Sequence, residues 1–226
     1  MTRNTAQPSS PASRRLRPVW RALAGLFVAA VVAVPFALIN RDFSVAARNG
    51  HGTIQMLVWF LALMGISLLF LQVLTGAFRP VLRRVFAPRA LNQFHKAVGL
   101  AGFALVAGHF LFLLPNIRGH WAASKHGFFL LGPIALFALA VTVATALMLG
   151  RLRPRTWIRL HVLNYGVFVV GAIHGLAIGT QTGTPAARVI FALYLALAAA
   201  GFVYRARAPE WRNRLALSRV KTDGRR

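Results

Sequence analysis

The chain alternates long apolar stretches with short polar breaks rich in arginine. Six stretches carry the pattern, at residues 19–39, 54–78, 94–115, 128–149, 157–178 and 186–204. A run of about 20 apolar residues is the length a helix needs to cross a hydrocarbon core of roughly 30 Å. The pattern therefore predicts an all-α membrane protein, a six-helix transmembrane bundle. The connections are short, and none is long enough for a second folded domain.

The ends read differently. Residues 1–18 are rich in Pro, Ser and Arg and are expected to form a disordered basic tail. Basic residues before the first apolar stretch also suit a secretory signal, and Arg14-Arg15 is a weak twin-arginine pair. The stretch is longer than a typical signal core, however, so it is taken as an uncleaved first span. Residues 19–204 form the expected transmembrane domain, and residues 205–226 a basic cytoplasmic tail. In that tail Trp211, Leu215 and Leu217 stand among arginines. This suits either a short amphipathic helix on an anionic leaflet or a solvated segment.

Charge orients the bundle. Of the 27 Lys and Arg, five (Arg41, Arg48, Arg118, Lys125 and Arg188) fall in one set of connections, and all the others in the opposite set and the two tails. The positive-inside rule then puts both termini in the cytoplasm, and the expected location is a bacterial inner membrane, crossed several times. The net charge of +24 sets topology here; the arginines flank apolar segments and form no basic face for nucleic acid. Trp20, Trp157 and Tyr204 lie near span ends, as interfacial anchors or as packing residues. The chain has no cysteine and only three acids, Asp42, Glu210 and Asp223. Disulfides, iron–sulfur clusters, thiol catalysis and paired carboxylates are excluded, and histidine is left as the main candidate for metal chemistry.

Four of the seven histidines lie inside apolar segments. His95 and His109 are 14 residues apart in the third span, and His161 and His174 are 13 apart in the fifth. At ~1.5 Å per residue each pair covers roughly 20 Å of helix, one imidazole toward each membrane face. The two spans run in the same direction, so His95 pairs by depth with His161, and His109 with His174. A single intramembrane histidine is readily a polar residue hydrogen-bonded between helices. Four at matched depths point instead to axial ligation of two stacked haems.

One feature fits poorly. At ~100° per residue, 13 residues miss the starting face by about 140°, so either the fifth helix is distorted or the two sites are staggered sideways. Gly99, Gly102, Gly108, Gly166, Gly171 and Gly175 flank the ligands, and suit either room for a flat macrocycle or plain helix contact. Arg89, Lys96, Arg155 and Arg159 are candidate partners for haem propionates on the inner side, and Arg118 and Lys125 on the outer. His120, His126, Lys125 and Trp121 lie in the outer loop between spans three and four, as an acceptor site or simply a polar loop. His51 is expected at the interface.

No glycine-rich dinucleotide fingerprint and no Ser/His/Asp arrangement is visible. Electrons must come from another molecule.

Two stretches carry a resemblance. FHKAVGLAGFALVAGHFLFLL resembles helix three of the ferric reductase-like transmembrane domain superfamily. RTWIRLHVLNYGVFVVGAIHGL, with R-x-H-x-x-x-Y at Arg159, His161 and Tyr165, resembles helix five. That superfamily includes ferric reductases, NADPH oxidases and the haem-binding membrane subunit of bacterial methionine sulfoxide reductase systems. The resemblance covers about residues 50–205. It implies that His95, His109, His161 and His174 ligate two haem b groups; Lys96 and Arg159 are expected beside them from their inner-side position alone. Ferric reductases and oxidases usually continue into a cytoplasmic FAD- and NADPH-binding module, and this chain is expected to lack that half. Its length resembles the sulfoxide reductase subunit, which often lacks the first histidine of helix three, whereas His95 is present here.

The expected function is a dihaem b-type cytochrome. It would carry electrons from a cytoplasmic flavin reductase, with FMN or FAD held by that partner, or from quinol. The acceptor would be a ferric complex, a periplasmic reductase or oxygen. The alternatives are the sulfoxide reductase subunit, a non-catalytic haem sensor or assembly subunit, and a haem-free permease.

Overall fold

The computed structural model describes residues 11–40, 52–116, 126–148, 151–179 and 181–207. Among these residues it is all-helical. Six long helices follow one another: α1 (Pro11–Asn40), α2 (Gly52–Ala77), α3 (Pro88–Leu113), α4 (His126–Leu147), α5 (Pro154–Ile178) and α6 (Pro185–Arg207). All six are long and apolar enough to cross a membrane, as expected. Prolines open α3, α5 and α6, where the absent N–H would be unpaired anyway and φ is already set for a helix.

Two local features go beyond the apolar pattern. The segment 11–18 continues α1 instead of forming a tail. Ala12, Arg14, Arg15, Leu16 and Arg17 are strong helix formers, and Pro11 is a suitable first residue. A one-turn helix, Arg79–Leu82, follows α2 directly. The tail after Arg207, expected to be cytoplasmic, lies outside the described residues.

α2 is the hub. Neighbouring helices bury 56% of its span, against 11–28% for the other five. It packs on α1, α3, α5 and α6, while α4 packs chiefly on α5. The two histidine-bearing helices, α3 and α5, make at most marginal backbone contact. α2 and α4 hold them apart, which leaves a slot between them. Large apolar side chains such as Leu26, Leu100, Phe137 and Leu147 point outward and are exposed, the pattern of a surface solvated by lipid tails.

Small residues bring α2 and α3 together. A methyl group added at Gly102 would lie 3.0 Å from Leu69 Cγ and 3.3 Å from the Gly65 carbonyl; one added at Gly65 would lie 3.0 Å from Val106. Gly99 packs on Gln72 and Gly108 faces Leu61 in the same way. These three glycines of α3 therefore serve helix contact. Gly102→Leu should overpack this seam, at a cost of about 1–3 kcal/mol, and lower the thermal unfolding midpoint of the detergent-solubilised protein. An unchanged midpoint would show that the helices separate freely there.

The centre of the core is aromatic. Phe70 of α2 stacks on Tyr194 of α6 at 3.9 Å between ring centroids and on Phe168 of α5 at 5.9 Å. The Tyr194 hydroxyl lies 3.4 Å from Ser67 Oγ, so the buried phenol keeps a polar partner.

Candidate functional site

All four intramembrane histidines are described, and each has its Nδ1 engaged. His95 Nδ1 donates to the Gln72 carbonyl at 3.1 Å and lies 3.2 Å from Thr75 Oγ1. His109 Nδ1 donates to the Val58 carbonyl at 3.0 Å. His174 Nδ1 donates to the Phe128 carbonyl at 2.9 Å. A carbonyl only accepts, so in these three rings the proton sits on Nδ1 and Nε2 keeps its lone pair. That is the tautomer a metal-binding imidazole needs, with the acceptor fixing ring orientation. The acceptors come from α2 and α4, the two helices that flank the slot.

The pairing expected from depth is the one the fold produces. His95 and His161 lie with ring centroids 5.8 Å apart, across the gap between α3 and α5. His109 and His174 line one cavity of about 540 Å³, walled by Trp59, Phe110, Leu136 and Phe191 among others. A pocket of this volume and apolar character suits a large flat ligand. Gly171 and Gly175 line it as well, so these two glycines of α5 give room, whereas Gly166 faces open space. Among the described residues no group of three or more His, Cys, Asp or Glu side chains comes together. Two imidazoles on opposite sides of a slot fit a metal that arrives with its own ring of equatorial ligands, and the residues therefore fit haem.

The awkward 13-residue spacing is absorbed sideways. α5 is uninterrupted from Pro154 to Ile178, so its two histidines leave on different sides. His161 lies against His95 of α3. His174 bonds to Phe128 of α4 and rests on Gly132, where an added methyl would lie 2.6 Å from its Cε1.

The cations beside the His95–His161 pair are not those expected from sequence. Lys96, Arg89 and Arg159 have exposed side chains. Arg205 of α6 donates to the Gly76 carbonyl at 3.1 Å, and Gly76 sits against His95. Arg79 hydrogen-bonds Asn92 Oδ1, one turn before His95. Both guanidiniums are half-buried. In sequence they look like topology charges, because nothing in α3 or α5 reveals what the one-turn helix after α2 and the end of α6 deliver. Trp157 is a packing residue at this pair. It stacks on His161 at 4.8 Å with 17° between planes, and its buried indole N–H has no hydrogen-bond partner among the described residues. Tyr204 packs on Phe78. Tyr165 meets Phe202 edge-on. His51, Arg118, His120, Trp121 and Lys125 lie outside the described residues, as do the side chains of His126 and Arg155.

Compared with known families, the chain matches the ferric reductase like transmembrane component over residues 60–172. That segment runs from α2 to Ala172 of α5, includes His95, His109 and His161, and stops two residues before His174. No curated protein and no solved structure matches the chain at a significant level.

Proposed function

We propose that this chain, which belongs to the ferric reductase like transmembrane component family, is a dihaem b-type cytochrome that carries electrons across a bilayer. Membership makes it a membrane redox component; the number of haems, their ligands and the direction of flow are our reading. The observation that carries it is the state of the imidazoles. Three of the four donate Nδ1–H to a backbone carbonyl, which leaves Nε2 available, and the four fall into two pairs across one slot.

His95 and His161 would hold one haem, and His109 and His174 the other. When bound, haem b supplies reversible one-electron chemistry at iron. The chain's own residues do the rest. Val58, Gln72 and Phe128 carbonyls orient the ligands. Arg79 and Arg205 offer charge to carboxylates at the His95–His161 end. Trp59, Phe110, Leu136 and Phe191 exclude water at the other, which keeps the local dielectric low and favours a tuned potential.

With both termini cytoplasmic, as the arginine distribution predicts, His95 and His161 lie on the cytoplasmic side of a bacterial inner membrane. Electrons then enter there from a flavin reductase carrying FMN or FAD, or from quinol. They leave from the His109–His174 side to a ferric complex, a periplasmic reductase or oxygen.

The test is a haemochrome assay with dithionite-reduced minus oxidised spectra on the full-length protein in detergent. About two low-spin b-type haems per chain are expected. One haem would reduce the conduit to a single pair, and none, after expression with ample haem, would overturn the reading.

A further inference from the structure

Three of the four imidazoles take their Nδ1 acceptor from the backbone of a neighbouring helix. His161 does not. Its Nδ1 lies 3.4 Å from the side-chain amide of Asn164, one turn further along α5. The other end of that amide lies 2.8 Å from Thr142 Oγ1 on α4. Thr142 is 1% exposed, and its hydroxyl is also 2.8 Å from the Leu139 carbonyl. The result is a chain of polar groups, Leu139 carbonyl to Thr142 to Asn164 to His161, that ends on a candidate ligand.

Proton counting orients this chain. A hydroxyl has one hydrogen, and a backbone carbonyl accepts only. With Oδ1 toward Thr142 and Nδ2 toward His161, two acceptors claim the single Thr142 proton. His161 Nδ1 must then accept, which places the ring proton on Nε2 and blocks metal binding there. A half-turn of the amide removes both conflicts, and oxygen and nitrogen of an amide are interchangeable in shape. Thr142 then donates to Leu139 and accepts from Asn164 Nδ2. Asn164 Oδ1 accepts His161 Nδ1–H, and Nε2 keeps its lone pair as in the other three rings.

We propose that Asn164, held by Thr142, is the positioning residue for His161, setting its tautomer and its strength as a ligand. This rests on the dihaem reading above. A backbone carbonyl cannot be altered by substitution, whereas an amide can, so Asn164 gives the His95–His161 site an acceptor that substitution can tune. A stronger acceptor at Nδ1 makes the imidazole more basic and favours the ferric state; a missing acceptor does the opposite.

The test is a redox titration of the haem absorbance, with electron paramagnetic resonance of the oxidised protein, on full-length chains in detergent. Asn164→Asp should move one of two haem components to lower potential, and Asn164→Leu should move the same component upward. Its low-spin g values should change while those of the other component stay as in the wild type. The component that moves should be the one lost in His161→Ala. Should Asn164→Leu not retain haem, the near-isosteric Asn164→Asp and the more distant Thr142→Val carry the test, the latter with an upward shift. A wild-type protein that holds two haems, with potentials and g values indifferent to these changes or shifted equally at both sites, would overturn this assignment alone. A wild-type protein without haem would overturn the dihaem reading and the assignment with it.

Discussion

His174→Ala is expected to bind about one haem per chain where the wild type binds about two, and the haem that remains should still be reduced by dithionite. His109→Ala should give the same remaining spectrum, and His95→Ala or His161→Ala the complementary one. The reason is separation. The pairs are 14 and 13 residues apart along α3 and α5, roughly 20 Å of helix. Each pair has its own supports. His109 and His174 rest on Val58 and Phe128, and His95 on Gln72 and Thr75, so losing one ligand leaves the other site's hydrogen bonds intact. Truncating one imidazole also opens a cavity, at a cost of a few kcal/mol, so the quantity to compare is haem per folded chain measured after size exclusion. Equal loss of both haems from His174→Ala, or loss of neither, would show that the pairing is wrong.

Much of this architecture was legible because it is periodic or repeated. Six apolar stretches of about 20 residues announce six spans, and four histidines at two matched intervals announce two pairs. What stayed hidden arrives from helices with no pattern of their own. Arg79 and Arg205 look like any other flanking arginine until the one-turn helix after α2 and the end of α6 place them near His95. Lys96 and Arg159, one and two residues from the ligands, turn outward, because each residue along a helix rotates by about 100°. The glycines could not be sorted from sequence either. Gly99, Gly102 and Gly108 meet α2, while Gly171 and Gly175 line the cavity, and only the packing separates the two uses. The 13-residue interval did carry information: it left either a distorted fifth helix or a sideways stagger, and the uninterrupted α5 leaves the stagger. Asn164 could have been noticed as a polar residue one turn from a ligand, but its partner Thr142 lies on another helix and completes the meaning.

Gly132 provides a second large effect, from a residue that ligates nothing. A methyl group at this position would lie 2.6 Å from His174 Cε1 and 2.8 Å from its Nε2, well inside van der Waals contact. The ring cannot simply retreat. Its Nδ1 is tied to the Phe128 carbonyl at 2.9 Å, on the same helix and one turn before Gly132, and Gly132 and His174 both line the cavity. A side chain at 132 therefore either breaks that hydrogen bond or pushes Nε2 out of the position it needs. Gly132→Leu adds bulk to the cavity as well. It is expected to lose the same haem as His174→Ala and to keep the other, with Gly132→Ala intermediate. Gly127, on the first turn of the same helix, has nothing within 4 Å of an added methyl, so Gly127→Leu is the control and should retain two haems. The readout is haem per chain together with the reduced spectrum. Two haems with wild-type spectra in Gly132→Leu would mean that His174 takes another position in the loaded protein, and that its place against α4 is not the ligating one.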